Sequence, residues 1–273
     1  MAHARPYVQG WFPEGRPQGA LVISHGLAEH GGRYAALAAD LNRAGWAVHA
    51  IDHAGHGHSA GRRADLGRMQ RVVEDLAGVV RVARDNAPGL PVVLFGHSMG
   101  GLIALRCALE AGTELSGLVL SAPALDPGES APRWRILLGR LLAKLAPGVG
   151  MLTLPAEAIS RDPAVVEAYE RDPLVFHGSI PVRTLVGMLG AMDEVRAAAA
   201  SLDIPVLIQH GTADRLVPLE AVQGLYERIG QSARRTLITY PGLYHEIYNE
   251  PERAQVIADL LDWLASLSAT SAN

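Results

Sequence analysis

The stretch VVLFGHSMGGLIAL, residues 92–105, constrains this chain more than any other. Residues 92–95 form an uncharged apolar run without alternation, which predicts a strand buried on both faces. From Met99 onward, Leu102, Ile103, Leu105 and Ala108 fit a buried helix. Between the two lies Gly96-His97-Ser98-Met99-Gly100, a G-x-S-x-G sequence at a strand-to-helix junction. Such a turn holds its serine in a strained backbone conformation that only small neighbours permit, and it lifts the hydroxyl above the end of the sheet. The spacing therefore reads Ser98 as an activated nucleophile.

The rest of the chain supplies the sheet that this turn needs. Residues 21–24, 46–51, 117–121, 205–209 and 236–240 read as strands, and 34–44, 72–87, 219–229 and 251–267 as helices. Their alternation predicts an α/β fold: a mainly parallel sheet covered by helices on both faces. The alternation fails between residues 123 and 201, where Pro127, Pro132, Pro147 and Pro155 punctuate mostly helical patterns. A chain of 273 residues suits one large domain with an insertion. The expected division is a core from 1–122 and 202–273, interrupted by a helical cap over 123–201.

Within that insertion, RWRILLGRLLAKLAP has helical spacing. Trp134, Leu138, Leu141, Leu142 and Leu145 share one arc, and Arg133, Arg140 and Lys144 share another. The expectation is an apolar side turned inward with the cations outward. The cationic side is then either an ordinary solvated face or a contact with lipid head groups.

Composition and charge narrow the function classes. A formal charge of −4 is not the clustered basic surface that nucleic acid requires. The single cysteine, Cys107, excludes an internal disulfide and falls in the apolar helix after Ser98. No apolar run has the length of a signal peptide or a membrane span. The expected location is therefore the cytoplasm, with peripheral attachment to a membrane as the other option. Oligomeric state is left open.

A serine hydroxyl needs an adjacent general base, itself oriented by a carboxylate. In folds built on this elbow the chain order is Ser, then acid, then His. Of 11 histidines only His245 follows the acid candidates near residue 214, in a loop just after the last strand. The acid is Asp214 in HGTADRLVP, beyond the strand at 205–209, with Asp126 after strand 117–121 as its rival. Acyl transfer also needs two N–H donors for the developing oxyanion. One is Met99, next to the nucleophile, and the other is Leu27, in the HGLAEHGGRY loop after the first strand. His53, His56 and His58 in DHAGHGHSAG have the look of metal ligands, but no carboxylate completes the set. The expectation is no metal and no cofactor.

Taken together, HGLAEHGGRY, DHAGHGHSAG, GHSMGG, HGTADRLVP and YPGLYHEIYNEPER resemble the monoacylglycerol lipase family of α/β-hydrolases. The likeness extends into ISRDPAVVEAYERDPLVFHG. It implies the α/β-hydrolase fold and cleavage of a monoacylglycerol to glycerol and a fatty acid. It places nucleophile, acid, base and oxyanion donors on the residues already named. It also implies that Glu29 and Arg33 lie near the glycerol end of the substrate. Ala54 departs from the family, which usually has arginine there. The alternatives are a broader carboxylesterase or lysophospholipase, and a non-catalytic ligand-binding protein on the same fold. The last of these predicts a lost triad member, and none is lost.

Overall fold

The computed structural model describes residues 5–111, 115–126, 132–230 and 234–270. Within it β1 (Val8–Trp11), β2 (Gly19–Ser24), β3 (Trp46–Ile51), β4 (Val92–His97) and β5 (Gly117–Ser121) are joined in one sheet by two later strands, β8 (Val206–Gly211) and β9 (Arg235–Tyr240). The order is β1-β3-β2-β4-β5-β8-β9. β1 runs antiparallel to β3, and all other pairs are parallel. β2, β3, β4, β5 and β8 are buried along their whole length, which is why their sequences are mostly apolar and lack polar alternation. The edge strand β1 alternates between exposed and half-buried positions and lacks such a run, so sequence patterning passes over it.

Successive side chains of the inner strands point to opposite faces, and each face has its own helical layer. On one side Leu21, Val48, Val93, Val119 and Leu207 pack with Leu37 and Leu41 of α1 (Ala35–Arg43) and with Val256, Leu260 and Leu264 of α8 (Arg253–Thr270). On the other, Val22, Leu94, Leu120 and Ile208 meet α2 (Met69–Asn86), α3 (Met99–Ala111) and α7 (Leu219–Arg228). Cys107 is a buried member of this second layer.

β5 pairs directly with β8, so the chain between them leaves the sheet and returns one strand over. That segment forms α4 (Arg133–Leu145), a small antiparallel pair of β6 (Gly150–Leu152) and β7 (Ile180–Pro181), α5 (Pro163–Arg171) and α6 (Val182–Ala198). α6 buries Met188, Ala191, Met192 and Val195 in the same core as α2 and α3. Pro127 lies outside the described residues.

α4 corrects one expectation. Most of its apolar arc does not turn inward: Trp134 is 61 % exposed, Leu141 54 % and Leu145 74 %, with Leu138 also exposed and only Leu142 of that arc on the inner side, while Leu137, outside the arc, is 64 % exposed as well. Ile136, Gly139 and Leu142 form the inner side instead. Arg140 and Lys144 are exposed beside the apolar arc, and the side chain of Arg133 lies outside the described residues.

The sheet order reverses between β2 and β4, since the chain steps from β2 to β3 on one side and from β4 to β5 on the other. In a parallel sheet that reversal opens a crevice at the carboxyl ends of the strands. The loops after β2, β4, β8 and β9 carry Leu27, Ser98, Asp214 and His245, and all end at this crevice.

Candidate active site

Ser98 has φ +51°, in the left-handed region that a non-glycine residue rarely enters. Its N–H donates to the Ser121 carbonyl at 3.0 Å, and its carbonyl accepts from Gly101 N at 2.9 Å and Ala124 N at 2.9 Å. The strain is thus held by backbone from β5 and from the start of α3. Close packing explains the flanking glycines: a Cβ on Gly100 would collide with the Ser24 carbonyl, and one on Gly96 would lie 2.6 Å from the Gly101 Cα.

His245 Nδ1 is hydrogen-bonded to Asp214 Oδ2 at 2.7 Å, leaving Nε2 as the nitrogen available for proton transfer. Asp214 Oδ1 accepts from the N–H groups of Leu216 at 2.8 Å and Val217 at 3.0 Å. Burial opposes its ionisation, but the His245 charge, the hydrogen bond to it and the Val217 N–H hold its pKa below the ordinary 3.8. For His245 burial favours the neutral ring, yet the Asp214 carboxylate and its hydrogen bond raise the pKa above 6.5. The rival Asp126 is exposed on the wall of the cavity described next, and the carboxylate bonded to His245 is that of Asp214. The adjacent ring of His97, 4.7 Å from His245 between centroids, is pushed down to about 4 by burial and then by His245. It therefore stays neutral while His245 titrates.

Ser98 and His245 open on one cavity of about 400 Å³, within the usual size of a small-molecule site. Its walls include Ile159, Leu185, Leu189 and Met192 from the inserted segment, and Leu27 and Glu29 from the loop after β2. Leu27 lines this cavity together with Ser98, and Met99 follows Ser98 directly in the chain. Met99 begins α3, so its N–H has no intrahelical acceptor.

Glu29 and Arg33 belong to a buried charge network. Glu29 Oε1 accepts from Gly26 N at 2.6 Å and from the Tyr34 hydroxyl at 2.8 Å, and its Oε2 accepts from Arg33 Nη1 at 2.7 Å. Burial would raise the Glu29 pKa, but Arg33 and the neighbouring histidines bring it to about 2. Arg33 also donates to both carboxylate oxygens of Glu246, at 2.6 and 2.8 Å. It is not among the residues lining the large cavity, and it lines a separate small one of about 20 Å³ with Glu29, Tyr34 and Glu246.

The Hydrolase_4 family model, described as serine aminopeptidase S33, matches residues 15–252. A monoacylglycerol lipase from Mycolicibacterium smegmatis is 40% identical over 94% of this chain and 91% of its own length. The chain belongs to the monoacylglycerol lipase family of α/β-hydrolases. Human monoglyceride lipase is 34% identical over 96% of this chain and 87% of its own. The crystal structure of Paleococcus ferrophilus monoacylglycerol lipase superposes with a TM-score of 0.86 at 31% identity, covering 97% of this chain and 100% of that one. The parallel sheet and helical layers described above are therefore those of an α/β-hydrolase.

In this member of the monoacylglycerol lipase family two of the DHAGHGHSAG rings bond locally through one nitrogen each, while His53 Nδ1 and His56 Nε2 have no hydrogen-bond partner among the described residues. His53 Nε2 pairs with the Ser24 hydroxyl at 2.8 Å, and His56 Nδ1 donates to the Ala54 carbonyl at 2.9 Å. Among the described residues no group of three or more His, Cys, Asp and Glu is placed to hold a metal ion. At Ala54, where the family usually has arginine, the loop is tied down by Arg63, which donates to the carbonyls of Gly57 at 2.9 Å and Leu174 at 2.7 Å.

Sequence reasoning missed Glu246, Asn249 and His25. Glu246 holds Arg33 and receives Asn249 Nδ2 at 2.8 Å. Its only signal was adjacency to His245.

Proposed function

We propose that this chain hydrolyses monoacylglycerols to glycerol and free fatty acid through an acyl-enzyme on Ser98. The observation that carries the reading is a single cavity onto which Ser98, His245 and Glu29 open beneath apolar walls. An acyl chain suits those walls, and the polar end of the same molecule suits Glu29. Ser98 Oγ attacks the ester carbonyl while His245 Nε2 takes its proton, and Asp214 steadies the charged ring. The N–H groups of Leu27 and Met99 stabilise the oxyanion. The intermediate collapses as His245 returns the proton to the departing glycerol oxygen. Water, deprotonated by the same ring, then releases the fatty acid. Arg33 acts on the glycerol end indirectly, by fixing the carboxylates of Glu29 and Glu246.

Residues 123–201 serve as a cap between core parts 1–122 and 202–273. Its exposed apolar arc on α4 continues through Val149, Met151 and Leu152, and the last two also line the cavity. An apolar surface at the mouth of an apolar cavity, edged by Arg140 and Lys144, suits docking on a lipid surface. No helix among the described residues is long and apolar enough to cross a membrane. The working picture is a cytoplasmic enzyme that meets its substrate at a membrane surface, without a cofactor.

The test is a chain-length series of monoacylglycerols against 4-nitrophenyl esters and lysophospholipids of matching acyl length. Monoacylglycerol lipase activity predicts the highest kcat/KM for long-chain monoacylglycerols. Preference for short esters, with no use of monoacylglycerols, assigns the site to a broad carboxylesterase.

A further inference from the structure

The residue before the oxyanion loop's glycine is fully buried and touches no part of the large cavity. His25 Nε2 receives the backbone N–H of His53 at 3.0 Å. A backbone N–H only donates, so Nε2 is the bare nitrogen and the ring proton sits on Nδ1. Nδ1 lies 2.7 Å from the carbonyl oxygen of Gly26, to which it therefore donates. Burial keeps this ring in the neutral form, against the pull of the nearby Glu29 charge.

The Gly26 carbonyl belongs to the same planar peptide as the Leu27 N–H. In a trans peptide the two point in opposite directions, so fixing one aims the other. Glycine offers little resistance to rotation of that plane. Rotated by half a turn, it would present a carbonyl oxygen to the developing oxyanion in place of a donor. The neighbouring peptides are held as well: Gly26 N–H by Glu29 at 2.6 Å, and the carbonyl of Ala28, at φ +69°, by Phe176 N–H at 2.8 Å.

We infer that His25 is a positioning residue for the oxyanion hole, its Nδ1–H anchoring the Gly26 carbonyl so that the Leu27 N–H faces the reacting ester. The inference rests on the serine-hydrolase reading above. His25 does not touch substrate. It acts on the transition state through one peptide, so its loss falls on kcat and leaves KM nearly unchanged.

The test compares His25→Asn, His25→Gln and His25→Ala. The asparagine amide nitrogen falls near the place of Nδ1 and keeps the donor to Gly26. The glutamine amide reaches toward the place of Nε2 and loses it. For each variant kcat and KM are measured on one ester, together with inhibition by an alkyl boronic acid and by a fatty alcohol of equal length. The boronic acid accepts Ser98 Oγ, whose proton passes to His245, and becomes an anionic tetrahedral adduct with an oxygen in the hole. The alcohol occupies only the acyl site.

His25→Ala and His25→Gln should lose about 10²–10³ in kcat, as removal of an oxyanion donor does, with KM within a few-fold. The boronic acid Ki should rise in the same proportion, the alcohol Ki should stay put, and His25→Asn should recover most of both losses. Should the alanine variant not fold, the asparagine-to-glutamine comparison decides alone. Unchanged kcat in folded His25→Gln overturns the inference. So does a kcat loss without a boronate effect, or an asparagine variant no better than the glutamine one. Full activity in Ser98→Ala, or wild-type enzyme indifferent to the boronic acid, removes the serine-hydrolase reading itself and the role of His25 with it.

Discussion

His245 Nδ1 and Asp214 Oδ2 lie 2.7 Å apart, and their side chains are 5 % and 1 % exposed. A charge-assisted hydrogen bond this sheltered is poorly screened by solvent and selects one tautomer of the ring. Asp214→Asn keeps the shape but removes the charge. Turnover should fall by about 10³–10⁴, the scale of losing the orienting carboxylate of such a triad. Asp126→Asn should stay within a few-fold of wild type at equal thermal stability. Rates of the two purified variants decide the assignment, and a larger loss in Asp126→Asn reverses it.

The same pair sets the pH dependence. As a base His245 works only when neutral, and Asp214 raises its pKa above 6.5. kcat/KM should therefore climb with pH through that raised value and level off above it. In Asp214→Asn the raising charge is gone while burial still favours the neutral ring, so the limb of the residual activity should move to lower pH. A limb that does not move assigns it to another group.

Ser98→Ala should lose at least about three orders of magnitude in turnover, as removal of a triad nucleophile does. Its melting temperature should stay close to wild type, because the side chain points into the cavity and the strained turn is held by backbone. Labelling by a fluorophosphonate should vanish with the activity. Labelling that persists places the nucleophile elsewhere.

The apolar arc of α4 makes a prediction about where the enzyme works. Trp134, Leu141 and Leu145 are each more than half exposed and none lines the cavity. If each gains about 1 kcal/mol on entering a lipid interface, replacing all three by Ser should weaken vesicle binding by roughly two orders of magnitude. Hydrolysis of a soluble short ester should hold steady, while vesicle-borne substrate is turned over more slowly. Vesicle flotation of both proteins measures the difference, and equal binding removes the docking role.

Two glycine substitutions should have opposite signs. A Cβ on Gly100 collides with the Ser24 carbonyl, backbone that cannot step aside, so Gly100→Ala should cost about 3 kcal/mol or abolish folding. Gly190 lies inside α6 with nothing within 4 Å of a Cβ, so Gly190→Ala should stabilise by about 0.5–1 kcal/mol. Denaturant unfolding of both variants checks the contrast.

The features legible along the chain are those that depend only on sequence neighbours. The strand, the G-x-S-x-G turn and the apolar helix around Ser98 are local, because small residues and unbroken apolar runs act over a few positions. The inner strands were legible for the same reason, since burial on both faces removes polar alternation. The order Ser98, Asp214, His245 was equally readable, as a parallel sheet sends each of those loops to one edge. Features that depend on a partner distant in sequence emerge only once the chain is folded. Helical spacing shows that α4 has an apolar side but not which way it turns, and the structure turns Trp134 and Leu145 outward. Motif likeness places Arg33 beside the oxyanion loop, but only the folded chain shows Glu246, 213 residues further on, holding it at 2.6 Å. His25 opens the HGLAEHGGRY stretch, but nothing in that pattern shows what its ring holds. Its bond to the Gly26 carbonyl depends on the His53 N–H, brought to it by the parallel pairing of β2 with β3. Periodicity records that a residue has a buried side, whereas the identity of its partner is set only when the whole sheet closes.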